Sequence, residues 1–242
     1  MSTQDLERPD PARSRLALKS LPSSVRPGSF AFLVVAATLS YVLNALAIAS
    51  TLGATLVHGA RLGFLAAGMY VLSVQRAKAW LAVSLGTLVY VLDFMALRID
   101  LRVLQESMNV AFLVWILVVV LREVFHPVTT ERNAVMGALG GFLLILMIFA
   151  HVHGLVETLS PGAYGAADGA ISAGTGAAQV AAFQYFSTVT MTTLGYGDIV
   201  PVTLAARLVT GLEAIVGQFY VAVVIAALVG RAAAGRVADR SP

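Results

Sequence analysis

The chain is 242 residues long, 58% hydrophobic and 12% charged, with no cysteine and a formal net charge of +3. So apolar a balance excludes an ordinary soluble globular domain, and the lack of cysteine excludes disulfides and thiolate metal sites. The basic residues flank apolar blocks instead of forming a stripe, which argues for a membrane and against nucleic acid as the partner.

In chain order, residues 1–28 are rich in Pro, Ser and Arg without apolar periodicity, so a disordered tail is expected. Residues 30–50 carry no charge and are long enough to cross a bilayer core as a helix. They begin too late, behind too polar a leader, for a secretory signal peptide. A second span is expected at 62–74, with Arg61 snorkelling to the interface. A third follows at 80–97, a fourth at 108–121 and a fifth at 135–155. Segment 162–178 is Gly/Ala/Ser-rich and reads as a flexible outer loop. A shorter apolar-aromatic stretch, 180–193, precedes the sixth span at 204–229. The predicted fold class is an all-α membrane protein with six transmembrane helices and one re-entrant half-span. The predicted domains are a tail at 1–28, a four-helix front domain at 29–126, a pore domain at 127–230 and a tail at 231–242, with no soluble regulatory domain.

With six spans both termini share a side. That side carries twelve of the sixteen Lys and Arg residues, from Arg8 to Arg240, and the other keeps only Arg61, Arg98, Arg102 and Arg207. The positive-inside bias makes the termini cytoplasmic and turns segment 162–178 outward across the inner (cytoplasmic) membrane.

The segment with the most specific chemistry is Thr192-Thr193-Leu194-Gly195-Tyr196-Gly197-Asp198, between the half-length stretch and the sixth span. A dehydrated cation needs oxygen ligands in place of its water, and backbone carbonyl is the densest source in a membrane. Pointing successive carbonyls at one axis requires the backbone to alternate in handedness, which glycine tolerates; Gly195 and Gly197 stand at alternate positions. The carbonyls of Thr193, Leu194, Gly195 and Tyr196, with the Thr193 hydroxyl, would then stack as rings of ligands. Irregular backbone at that depth is tolerable only where it lines water or is buried in protein.

These residues resemble the potassium channel superfamily, whose signature is Thr-x-Gly-Tyr-Gly, and the resemblance covers about the last hundred residues. It implies K⁺ as the permeant ion, bound at Thr193, Leu194, Gly195 and Tyr196, and no other cofactor. Residues 184–192 would form the pore helix, its negative end aimed at the cavity. Tyr196 would turn its ring toward Tyr185 and Phe186. Asp198 would sit at the outer mouth, where copies of it concentrate cations. Some family members carry a glutamate at the position of Val189, bonded to this aspartate; Thr192, Val189 and Tyr185 are therefore the expected filter supports, with the Tyr185 hydroxyl bracing Asp198 instead. Glu157 resembles a brace for the backbone after the filter at the outer mouth, and its plain reading is an interfacial acid.

In the sixth span, Gly217 resembles the bending point of an inner helix, with close packing as the alternative. Glu213 is an ionisable group within a span and needs a protein or water-filled surrounding. Gln218, Val221 and Ile225 fall near one helical face and are expected to line a cavity. His151, His153 and Glu157 do not make a metal site, because only His153 and Glu157 share a helical face and more ligands are needed.

Four spans ahead of a pore suggest a voltage sensor, in which each charge is worth ~2.3 kcal/mol per 100 mV. Between residues 107 and 121 there is no Lys or Arg, so gating by a charged fourth helix is not expected. Asp93 is read as a structural partner of Arg61 or Arg98. The expectation is a homotetramer in lipid that conducts K⁺ passively, and not an enzyme, since no catalytic set or nucleotide loop is present. A weakly selective cation channel, or a non-conducting or transporter-associated subunit, are the alternatives.

Overall fold

The computed structural model describes residues 29–46, 88, 102–125, 131–166 and 177–239. The elements are α1 (Ser29–Leu46), α2 (Arg102–Val124), α3 (Glu131–Leu159), β1 (Tyr164–Ala166), α4 (Ala177–Met191), β2 (Ile199–Pro201) and α5 (Leu204–Asp239). The spans expected at 62–74 and 80–97 lie outside the described residues, apart from the exposed helical Leu88. Arg61, Asp93 and Arg98 lie outside them as well.

Three helices among the described residues are long and apolar enough to cross a membrane: Arg102–Arg122, Asn133–Leu159 and Leu204–Leu228. At 1.5 Å per residue the 29 residues of α3 extend ~43 Å and the 15 of α4 only ~22 Å. A bilayer core is ~30 Å thick, so α4 is too short to cross one.

Helix α3 is the hub, in contact with α1, α2, α4 and α5. One face buries Leu144, Met147 and Ile148 against Phe30 and Leu33 of α1 and Phe112 and Ile116 of α2. The other carries Ala150 into a second cluster with Ala163, Tyr164, Phe183, Phe186 and Ala206. Ile145 and Leu146 meet Met191 at the end of α4. Glycines let helices approach along α3: a Cβ on Gly141 would fall on the Tyr220 hydroxyl, which donates to the Ala138 carbonyl at 2.6 Å.

Pro161 and Gly162 end α3, since proline cannot continue the ladder and Gly162 takes a φ of 84°. The chain then enters β1, which pairs antiparallel with β2 in the register Tyr164 to Pro201, Gly165 to Val200 and Ala166 to Ile199. This corrects the reading of 162–178 as a flexible loop at its two ends, 162–166 and 177–178; the residues between lie outside the described ones. Ala163 and Tyr164 are buried, and α4 starts at Ala177, ahead of the predicted 180 and 184. The one large aromatic in that Gly/Ala-rich run holds its start down. Helix α5 is capped by Thr203, whose Oγ1 accepts from the Ala206 amide at 3.3 Å. It continues to Asp239, through residues read as a tail. Apolarity stops near 229, but the Ala- and Arg-rich sequence that follows favours helix.

Candidate functional site

The segment from Thr192 to Asp198 leaves the carboxyl end of α4 and is exposed throughout on the single chain. Its anchor is the Val189 carbonyl, which accepts from the amides of Leu194 at 3.0 Å and Gly195 at 3.3 Å. Thr193 donates its amide to the Thr190 carbonyl at 3.1 Å. Thr192 closes the helix with its hydroxyl, donating to the Thr188 carbonyl at 2.6 Å. Thr192 and Val189 thus hold the segment to α4, Val189 through its backbone carbonyl, while its side chain is buried.

Backbone handedness alternates along the segment: φ is 61° at Thr193, 58° at Gly195 and 77° at Gly197. Glycine takes such values freely, but a β-branched residue does not. Thr193 is the one non-glycine with positive φ among the described residues, and a strained residue of this kind is typical of functional sites. Glycine spacing alone gave no signal for it.

Beyond Gly197, the Tyr185 hydroxyl donates to Asp198 Oδ2 at 2.6 Å, and the Ile199 amide donates to Oδ1 at 3.1 Å. The Tyr185 hydrogen bond holds the Asp198 carboxyl below its ordinary range. The same bond is the main reason the Tyr185 hydroxyl is pushed up to about 12. Tyr196 does not pack on Phe186, as the resemblance implied. Phe186 points to the other side, with ring centroids 5.0 Å from His153 and 5.6 Å from Tyr164, while Tyr196 is 68% exposed.

Glu157 is buried and stands back from the mouth. Its Oε1 accepts from the Gly162 amide at 2.8 Å and its Oε2 from the Tyr164 amide at 3.2 Å. It fixes the turn into β1 and reaches the backbone after Asp198 only through the pairing of β1 with β2. Within the chain the direct brace expected of it is not made: both oxygens of its carboxylate accept from amides of the turn that follows α3.

Glu213 does not line a cavity. It is fully buried, and its Oε2 pairs with His153 Nε2 at 2.8 Å. His153 Nδ1 in turn meets the Tyr164 hydroxyl at 2.6 Å. His151 faces elsewhere, its Nδ1 2.6 Å from Glu106 Oε2 of α2. The spacing that put His153 with Glu157 missed both partners. The available signal was that each ionisable group inside a span needs one.

Helix α5 runs uninterrupted through Gly217. A Cβ there would stand 3.1 Å from the Met191 carbonyl oxygen and 3.2 Å from its Cα, so two backbones meet at this point. Gly217→Ala should therefore destabilise the fold by about 1–3 kcal/mol through overpacking, seen as a lower thermal midpoint in detergent. A midpoint equal to the parent's would contradict the contact. Gln218 and Val221 are exposed on the single chain; the side chain of Ile225 lies outside what is described.

Against known proteins, residues 142–233, from within α3 through most of α5, match a family model described as ion channel. No curated protein and no solved structure matches the chain. The match supports an ion channel, and with the apolar helices it supports a multi-pass membrane protein; that family is generally non-enzymatic.

Proposed function

We propose that the chain is a subunit of a K⁺-selective channel, conducting passively across the cytoplasmic membrane as a homotetramer. The alternating handedness at Thr193, Gly195 and Gly197 is the observation that carries this reading. It suits a backbone whose successive carbonyls turn to one axis as ligands for a dehydrated cation. Thr193, Leu194, Gly195 and Tyr196 are the proposed K⁺ ligands, and Asp198 the acid at the outer mouth.

A single strand cannot encircle an ion, so several copies must contribute, and fourfold symmetry places one strand on each side of the axis. The exposed side of α5 supports this. Leu204, Leu208, Leu212, Ile215, Phe219 and Val223 are all exposed and recur at steps of four or three residues. That period suits a helix packing lengthwise on another. The dipole of α4 puts its negative end beside the filter, on the cavity side. The test is a K⁺ efflux assay in liposomes combined with native mass measurement of the particle. Efflux carried by a four-chain particle is the expected result; efflux from a monomer would refute the assembly.

The mouth should respond to pH through Asp198. Its carboxyl is depressed, so what it contributes is fully present above the ordinary carboxylate range, near pH ~4. That contribution is lost as pH falls through the depressed value. Tyr185 titrates on the other side: its hydroxyl is raised, so the bond is complete below pH ~10 and goes as pH approaches about 12. In Tyr185→Phe the Asp198 carboxyl returns toward its ordinary range. The acid-side loss of K⁺ flux should then begin at higher outside pH than in the parent chain. Superimposable acid limbs would show that the hydroxyl does not set this group.

A further inference from the structure

Helix α1 touches α4 as well as α3, and it meets α4 with a polar group. Its residues Phe30, Leu33, Ala37 and Tyr41 recur at steps of three and four, so they share one face. The first three are buried in the cluster that α1 forms with α2 and α3. Tyr41, one turn further on, is half-buried beside Ile145, Leu146 and Met191. Its hydroxyl stands 3.1 Å from Thr188 Oγ1 of α4, 147 residues away in the chain.

The direction of this hydrogen bond follows from what Thr188 does elsewhere. A hydroxyl has one hydrogen to give. Thr188 gives its own to the Gln184 carbonyl at 2.8 Å, so Tyr41 is the donor and Thr188 Oγ1 the acceptor. The Thr188 carbonyl in turn accepts from Thr192 twice, from the amide at 3.0 Å and the hydroxyl at 2.6 Å. The next carbonyl, that of Val189, accepts from the amides of Leu194 and Gly195. Three of the four amides from 192 to 195 therefore hang from Thr188 and Val189, and α1 grips the first of these two.

Apolar packing holds helices together but is non-directional, so a short helix can slide or turn on it. α4 has only 15 residues and lays Phe183 and Phe186 among apolar neighbours of α3 and β1. A hydrogen bond has a preferred length and angle, so it resists both motions. The front half carries no Lys or Arg between residues 107 and 121 of α2. Without sensor charges there, the contact gives α1 a use of another kind.

We propose that Tyr41 is a positioning residue for the segment 192–195: its hydroxyl fixes the height and rotation of α4 through Thr188 and so makes the first helix a determinant of ion selectivity. Tyr41 touches no ion and acts through Thr188 alone. Successive carbonyls can favour one dehydrated cation over another only while they keep their places. In an assembly, each copy of Tyr41 would act on its own strand of the shared pore. The selectivity role rests on the channel reading above; the positioning does not.

The test uses the full chain in liposomes with Tyr41→Phe, which keeps the ring and removes the hydroxyl. Amide hydrogen exchange is followed at residues 192–195, with α3 as the internal reference. Exchange at 192–195 should quicken about fivefold, the worth of one hydrogen bond, while that of α3 stays at the parent's rate. Reversal potentials under opposing K⁺ and Na⁺ gradients should show the K⁺ to Na⁺ permeability ratio falling by about fivefold or more. A merely structural role would lower the amount of flux and leave this ratio alone. Thr188→Val removes the acceptor and should reproduce both changes. Adding Tyr41→Phe to Thr188→Val should then change nothing more, because the two side chains share one contact. Exchange at the parent's rate in Tyr41→Phe overturns the positioning. Faster exchange with an unchanged permeability ratio overturns the selectivity role. Additive effects of the two substitutions overturn the shared contact. Absence of flux in the parent chain counts against the channel reading, and the exchange rates still decide the positioning.

Discussion

Gly195→Ala is expected to reduce K⁺ flux at least tenfold while leaving the helical content of the protein unchanged. The argument is conformational rather than steric, because a Cβ at Gly195 meets nothing within 4 Å on the chain. Its φ of 58° costs an L-residue about 1–2 kcal/mol. Four copies around one axis would bring about 4–8 kcal/mol of strain to a few ångströms of backbone. About 1.4 kcal/mol is a factor of ten, so the segment escapes by turning the Gly195 peptide, which removes one ring of carbonyls from the axis. Parent-like flux in Gly195→Ala would mean that positive φ at this position is not needed for conduction.

Glu213→Ala should produce the largest loss of stability among single substitutions outside the filter. It removes the acceptor of a fully buried His153 Nε2–H and leaves a cavity between α3 and α5. Breaking a buried pair by deleting one partner costs about 3–5 kcal/mol. For a chain of this size that lowers the thermal midpoint by about 10 °C. Glu213→Gln keeps an acceptor and the volume, so most of the midpoint should be retained. An alanine variant as stable as the glutamine variant would show that the hydrogen bond to His153 contributes little.

Much of this organisation was legible in the sequence because lipid imposes strict demands. Apolar runs with few or no charges marked the helices Arg102–Val124, Glu131–Leu159 and Leu204–Asp239 to within several residues, except that the last continues well past 229. The short α4 was visible as a short apolar-aromatic stretch, and Gly195 and Gly197 stand where the backbone takes positive φ. The Tyr185–Asp198 contact was expected from the resemblance, with Tyr185 standing in for an acid that is absent at Val189.

What escaped the sequence depends on contacts between distant segments. His153 and Glu213 are 60 residues apart, and helical spacing offers only neighbours such as Glu157. Tyr164 was hidden in a run of glycine and alanine that reads as loop, although burial of its ring and pairing of its strand hold the chain there. Phe186 and Tyr185 are adjacent on α4 and so point to different sides; no periodicity says which side residues 192–198 occupy. The positive φ of Thr193 runs against the preference of a β-branched residue, so propensity points away from it.

The central claim is selective conduction, and a reversal potential tests it most directly. The purified chain, reconstituted in a planar bilayer or liposome patch, is held between opposing K⁺ and Na⁺ gradients and the zero-current voltage is read. The account predicts a voltage that follows the K⁺ gradient, with block by Ba²⁺. A voltage near zero under equal and opposite gradients, with current still flowing, would contradict it and leave a pore that does not distinguish the two ions.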